Sequence, residues 1–420
     1  MDDTNVIKIF EDSQQKLSLT EQQKKDIISM KSIIGENNLI LQADGKLLIK
    51  HYVGFVQLNK TRLLIYPKIA NHEGCKNSID KSFEIFIKML SFTNYNQVKR
   101  IPSSQTLDRF EGDLLELFIG IYVDELLLQF RRDINRGYNI VSENQSFIKG
   151  KIDYTETMKK NSFRKHLHYV HYDQYSEDIL LNGIFKSISL NLISRTNNKN
   201  NKRKLKQSLL WLEDVTRVRL SGDIWNNIKF DRHNSKYEAV FNMAKLFYQN
   251  SNPSLNKGKE LAFSFLVPLN RLFELYLYKI LCRYASAEYR IKYQAPVKYL
   301  ARLKDKKLLQ LKPDITCINE NGIACVIDAK YKYAQYDGST LKISHDDIYQ
   351  MLAYSIRFKC RNIVLIYPRF LGQKDEFLIE ELLIENYEHE ISIKLVRVDL
   401  EKSPELLARQ LELLLARQEM

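Results

Sequence analysis

The sequence predicts an α/β (α+β) protein with a small β-module and helices at the N-terminal end, a basic and mainly helical middle, and a mixed central sheet at the C-terminal end. Three observations carry this. Short apolar runs separated by turn residues crowd into 38–69, and apolar residues then recur at spacings of three and four over 78–95 and 112–136. Beyond a segment rich in Pro, Gly, Ser, Asn and Lys at 251–260, read as a linker, helical and alternating patterns interleave. At 420 residues the chain exceeds one ordinary core. The expected division is 1–145, 146–255 and 256–420.

In chain order, 18–32 reads as a polar helix. Leu39-Ile40-Leu41, a turn at Asp44-Gly45, Leu47-Leu48-Ile49, the run 52–58, a turn at Asn59-Lys60 and Leu63-Leu64-Ile65 then read as short strands. The amphipathic pattern over 112–136 stops at Gly137, a natural helix end. After the linker, 268–284 is predicted as a helix, 289–293, 308–318 and 323–331 as strands, and 344–358 as a helix. Strands at 363–367 and 391–395 follow, and Ser403-Pro404 opens a last leucine-rich helix.

Charge narrows the function. Lys plus Arg outnumber Asp plus Glu by 64 to 51, the balance of a protein that meets polyphosphate or another anionic surface. Between Lys149 and Ser235 there are 17 basic and 9 acidic residues, and the run Lys199, Lys202, Arg203, Lys204, Lys206 lies there. That run is either a solvated helix end or a phosphate-contacting, DNA-binding patch. Five scattered cysteines without a C-x-x-C pair point to neither a disulfide framework nor a zinc cluster. An acidic start, and charges interrupting the most apolar stretch, lead us to expect a cytoplasmic protein with no membrane span.

The chemistry concentrates in Lys312-Pro313-Asp314 and Asp328-Ala329-Lys330, on two strands flanking an Asn-Gly turn. Asp328 and Lys330, two residues apart, face one way at the end of an apolar strand, and charges there need partners. Asp314 shares that face if the hairpin loop is the three residues Glu320-Asn321-Gly322 with Gly322 left-handed; a two-residue Asn-Gly loop needs a bulge. Two carboxylates and a lysine suit phosphodiester hydrolysis: the carboxylates hold Mg²⁺ or Mn²⁺, and the lysine orients water or stabilises developing charge. The same residues could instead finish a sheet as a salt-bridged strand end. Glu274, in an apolar helix, could project toward these strand ends as a further metal ligand. Ser344 with Asp346 and Asp347 fits a capping box that places Gln350 and Tyr354 one turn apart. His166, His168 and Asp173 alternate on a strand and offer a weaker transition-metal alternative, without a Cys or H-E-x-x-H partner.

Pro313-Asp314 with Asp328-Ala329-Lys330 resembles the PD-(D/E)xK nuclease motif, and Gln350-x-x-x-Tyr354 is similar to the extra motif of its RecB-like branch. Phe273-Glu274, Lys312-Pro313-Asp314-Ile315, Asp328-Ala329-Lys330-Tyr331-Lys332 and the run from Asp347 to Tyr354 resemble the nuclease region of the McrC family. Val53-Gly54-Phe55-Val56, Leu64-Ile65-Tyr66-Pro67-Lys68-Ile69, Phe147-Ile148-Lys149-Gly150-Lys151-Ile152, Tyr172-Asp173-x-x-Ser176-x-Asp178 and Asn182 resemble its earlier regions. Lys149-Gly150-Lys151 stands where Arg-Gly-Arg is expected, keeping charge but losing bidentate geometry.

The resemblance implies a C-terminal restriction-endonuclease-like domain and a Mg²⁺-dependent DNA endonuclease subunit. Asp314, Asp328 and Glu274 would be its metal ligands, Lys330 the catalytic lysine, and Gln350 and Tyr354 positioning groups. It also implies two partners: double-stranded, modified DNA, and a hexameric McrB-like AAA+ GTPase whose hydrolysis the N-terminal region stimulates. The chain itself has no P-loop motif. A self-sufficient RecB-like repair nuclease and a non-cutting activator of an AAA+ GTPase are the alternatives.

Overall fold

The computed structural model describes residues 5–58, 61–70, 76–93, 114–249, 251–252, 262–333, 335–337, 340–342, 344–373, 377–384 and 390–415. They fall into two compact units, one drawn from both ends of the chain (within 1–95 and 255–420), the other from the middle (within 113–254). This grouping crosses the segments 1–145 and 256–420 read from the sequence, because strands and helices from the two ends pair with one another.

The first unit begins with β1 (Asn5–Phe10) and β2 (Gln15–Lys16). Thr20 then caps α1 (Glu21–Ser29) in a reciprocal box with Gln23. The expected helix over 18–32 is thus shorter, and a separate turn, α2 (Lys31–Ile34), follows it. β3 (Leu39–Leu41), β4 (Lys46–Ile49), β5 (Tyr52–Leu58) and β6 (Thr61–Tyr66) fall on the predicted runs, and α3 (Lys76–Thr93) comes next. β1 runs parallel to β6, and β6 pairs antiparallel with β5. Ile9, Ile27, Met30, Leu47, Val56 and Leu63 share one core there.

The middle unit holds α4 (Leu114–Arg132), β7 (Gly137–Gln145), β8 (Lys151–Ile152), α5 (Tyr154–Asn161) and β9 (His168–Ser176). It continues with α6 (Leu180–Ile193), α7 (Lys199–Trp211), α8 (Glu238–Gln249) and the short β10 (Ser251–Asn252). β7 and β8 both pair antiparallel with β9. Gly150 has φ +70°, and a Cβ there would lie 2.3 Å from the His171 carbonyl oxygen, so this turn requires glycine. Asp178 accepts bonds from the Thr216 N–H and hydroxyl, each at 2.7 Å, while the Asn182 amide donates to the carbonyls of Asn135 and Glu177 at 2.8 Å. These two side chains therefore staple loops. Of the expected linker, 251–252 form β10 and 253–260 lie outside the described residues.

The chain then returns to the first unit through β11 (Ala262–Pro268), antiparallel to β5. Next come α9 (Leu269–Tyr284), β12 (Arg290–Tyr293), β13 (Lys298–Leu303), β14 (Lys306–Leu311), β15 (Ile315–Asn319) and β16 (Gly322–Ala329). After β17 (Gln335–Asp337) and β18 (Thr340–Lys342) follow α10 (His345–Phe358), β19 (Asn362–Pro368), β20 (Leu378–Ile384), β21 (Ile391–Val398) and α11 (Pro404–Leu415). The order β12-β15-β16-β19-β21-β20 makes a mixed sheet. β16, β19 and β21 are mutually parallel, and β12, β15 and β20 join antiparallel. Val326, Ile363, Leu365 and Ile393 bury one face against Met351, Tyr354 and Phe358 of α10. α9 packs against both α3 and α11. The Lys88 ammonium donates to the carbonyls of Leu400 and Lys402, and the Leu371 N–H to Ile69 O at 3.3 Å.

The single strand expected over 308–318 is two. Pro313 cannot donate a ladder bond, the chain breaks at Lys312-Pro313-Asp314, and β14 pairs with β13 in a separate two-stranded ribbon.

Candidate active site

Parallel strands that end together gather their C-terminal side chains at one edge, and β16 brings Asp328 and Lys330 there. The hairpin register makes Asp314 their neighbour. Ile315 stands opposite Ile327 and Cys317 opposite Cys325, but at the tip Asn319 pairs with Gly322. The loop is thus the two residues Glu320-Asn321, shorter than the three-residue alternative and one position before Asn-Gly, with the bulge that a two-residue loop needs. A register shift between Cys317 and Ile318 restores the parity that the two-residue loop would have lost. Gly322 has the positive φ (+113°) expected of it. Across this hairpin the Ala329 N–H donates to Asp314 Oδ2 at 2.8 Å.

Burial and charge act against these carboxylates. Burial, the Asp328 charge and the Glu274 charge push Asp314 up to about 8. Asp328, 1% exposed, is raised by burial even though Lys330 lies beside it, Oδ2 to Nζ 2.7 Å. Burial works against the Lys330 charge, but Asp328 and Asp314 outweigh it and the ammonium holds its proton more tightly than usual. Glu274 on α9 is raised by burial and by Asp328.

Hydrogen bonds fix the lysine. Lys330 Nζ donates to Gln350 Oε1 at 3.0 Å, Gln350 Nε2 donates to the Tyr354 hydroxyl at 2.8 Å, and that hydroxyl donates to the Lys312 carbonyl at 3.1 Å. One turn of α10 thereby links the lysine to the residue that opens the Pro313-Asp314 bend. Ser344 is the N-cap of α10 but makes no side-chain capping bond. Asp347, which a capping box would turn back on the helix end, pairs instead with Lys332.

Sequence reasoning missed Gln294. Its N–H donates to Asp314 O at 2.8 Å, its Nε2 to Glu274 Oε2 at 3.2 Å, and its Oε1 accepts from Lys312 Nζ at 2.7 Å. Its signal is a left-handed backbone, φ +48°, which sequence does not reveal at a glutamine.

The donor set suits a hard divalent cation: three carboxylates without sulfur or imidazole, all raised by burial and by neighbouring acids. Their ligand oxygens do not all lie within 4.8 Å of one another, so the arrangement is open. Among the described residues the trio that meets this distance is Glu11, Asp12 and His51. There Lys68 is already the counter-ion, 3.3 Å from Glu11 and 2.6 Å from Asp12, while burial pushes Glu11 up to about 7. His166, His168 and Asp173 form no such group. Instead His171 bridges Ser142 (2.6 Å) and Asp153 (3.1 Å).

The basic run lies in the middle unit. Lys199, Lys202, Arg203 and Lys206 are exposed along one stripe of α7, and Lys204 pairs with Asp124 at 2.5 Å.

These elements define an α+β protein that gathers three acids and a hydrogen-bonded lysine at one edge of a mixed sheet. It belongs to the family of McrBC 5-methylcytosine restriction system components, whose family model matches residues 47–368. The chain is similar to the type IV methyl-directed restriction enzyme EcoKMcrBC of Escherichia coli K12, 26% identical over 280 residues covering 62% of this chain and 79% of that protein. Its fold matches that of a chain in a half-complex from the tetradecameric assembly of Thermococcus gammatolerans McrB AAA+ hexamers with bound McrC. The TM-score is 0.77 at 21% identity, over 97% of this chain and 99% of that one. A chain of the Thermococcus gammatolerans McrBC complex matches with a TM-score of 0.53 at 20% identity, over 66% of this chain and 88% of that one. No helix among the described residues is long and apolar enough to cross a membrane.

Proposed function

We propose that the chain is the metal-dependent DNA endonuclease subunit of a McrBC-like restriction system, cutting modified double-stranded DNA when assembled with an AAA+ NTPase whose hydrolysis it stimulates. The observation that carries this reading is the convergence of Asp314, Asp328 and Lys330, with Lys330 held by Gln350. A salt-bridged strand end needs one acid per lysine. Here two more carboxylates, Asp314 and Glu274, crowd the pair and are raised by burial and by the Asp328 charge. The partnership is supported by the likeness to a chain bound to McrB AAA+ hexamers.

Asp314, Asp328 and Glu274 would hold Mg²⁺ or Mn²⁺, which would polarise the scissile phosphate and offset the charge that develops on it. Lys330 presents a fixed positive charge to the same phosphate, and its tightly held proton makes it an electrostatic stabiliser rather than a base. Gln350 and Tyr354 limit its movement, while Gln294 sets the separation of Glu274 from Asp314.

The test is cleavage of methylated and unmodified duplexes by the purified chain, with and without its AAA+ partner, in Mg²⁺ and GTP or ATP. Asp314→Ala and Asp328→Asn should each abolish cleavage while leaving partner assembly intact. Full cleavage by either variant would sink the assignment.

A further inference from the structure

We propose that the β13–β14 ribbon is a DNA-gripping arm of the nuclease site, an inference that rests on the endonuclease reading above. The ribbon pairs with no strand of the mixed sheet; Leu311 at its root joins the core beneath α10, while every residue from 300 to 310 is exposed. Two strands alone are marginal in water, so an exposed outer ribbon calls for a reason to exist. Its root is clamped to α10, the helix that carries Gln350 and Tyr354. Arg357 Nε donates to Tyr299 O at 2.8 Å, and Lys298 Nζ to Arg357 O at 3.1 Å. Its second strand runs directly into Pro313-Asp314. Whatever the arm holds is therefore held at the site.

The arm's chemistry fits a polyanion. From Lys298 to Lys312 there are six basic residues against one acid, Asp305. Arg302, Lys304, Lys306 and Lys307 cluster around the two-residue turn Lys304-Asp305, and among the described residues none of the four has an ion-pair partner, in contrast to Lys159, Lys160 and Lys204. Lys304 takes the left-handed conformation the turn requires, φ +51°. Leu303 and Leu309, 63% and 65% exposed, supply apolar contact beside these cations. A two-stranded ribbon of this kind fits the major groove, about 12 Å wide, and about five exposed residues per strand at about 3.3 Å each reach across it. The charge favours duplex DNA over a protein surface as the occupant.

The experiment uses the full chain and a labelled DNA duplex, comparing the wild type with a variant carrying Arg302→Gln, Lys304→Gln, Lys306→Gln and Lys307→Gln. Because these side chains cover no core, circular dichroism melts should coincide. Binding should weaken, and the slope of log K against log salt should shrink by up to about 3.6, at about 0.9 for each phosphate no longer neutralised. Cleavage by the variant in Mg²⁺ should fall at moderate salt and recover at low salt. If the wild type binds and cuts while the variant keeps the same affinity and slope, the arm is wrong and the nuclease stands. If Leu303→Ser with Leu309→Ser changes the sedimentation of the chain while the charge variant changes nothing in DNA binding, the arm docks protein, which also overturns the proposal. A wild type that neither binds nor cuts, with its AAA+ partner present, removes the endonuclease reading and this inference with it.

Discussion

Replacing Asp314 by Asn should make the metal-free chain more stable. Asp314 is pushed up to about 8 by burial and by Asp328 and Glu274, so folding without a cation holds it against its ordinary ionisation. A group with a raised folded value contributes its stability fully below the unfolded value, about 4, and loses it as pH rises toward 8. Over the three units from about pH 4 to pH 7, at about 1.4 kcal/mol each, the loss comes to about 4 kcal/mol, shared among the three acids. At about 2 °C per kcal/mol for a unit of this size, that is about 8 °C in Tm. Asparagine keeps an oxygen for the Ala329 N–H and removes the charge. Thermal melts in EDTA from about pH 5 to pH 8.5 should therefore show the wild type falling with pH more steeply than Asp314→Asn, in which the raised Asp328, Glu274 and Glu11 remain, the curves crossing at the acid end. Adding Mg²⁺ should raise the wild type most at high pH, where it competes with fewer protons, and leave the variant unmoved. A level wild-type curve, or a variant that Mg²⁺ stabilises as fully as the wild type, would refute both the clustering of charge and the ligand assignment.

Other outcomes follow from the same geometry. Lys330→Ala should abolish cleavage yet leave stimulation of the partner's nucleotide hydrolysis unchanged, measured as phosphate release. Tyr354→Phe removes the donor to Lys312 O and the acceptor for Gln350, and should cost about 1–2 kcal/mol in thermal or urea unfolding together with a drop in kcat. If α7 touches phosphates, Lys199→Gln, Lys202→Gln, Arg203→Gln and Lys206→Gln together should flatten the salt dependence of DNA binding. Lys204→Gln alone should not, because that side chain is committed to Asp124.

The strands bearing Asp314 and Asp328 are legible in the sequence because apolar runs broken by a turn leave few alternatives to a hairpin, and side-chain alternation then ties Lys330 to Asp328. The loop is not legible, since a bulge and a longer turn give the same parity and only the pairing of Asn319 with Gly322 separates them. β13 escapes because Lys298–Leu303 does not alternate, and β14 merges with β15 in the sequence pattern because apolar and polar residues alternate straight through Lys312-Pro313-Asp314. Gln294 depends on partners 18 to 20 residues away and on a backbone conformation that its residue type disguises. The union of the chain's two ends is a long-range pairing that no local pattern encodes.

That union has a consequence for how the protein is made. β5 leaves the ribosome about 200 residues before its partner β11, which at about 5–20 residues per second is a wait of roughly ten to forty seconds. The middle unit can complete itself during that interval, while the N-terminal strands hold an unpaired edge that invites chaperones or wrong partners. The acids and lysine of β15 and β16 emerge later still, and their unit closes only when the last helix has left the tunnel. A product truncated before β11, whether from a broken message or an interrupted translation, would leave the edge of β5 without its partner strand.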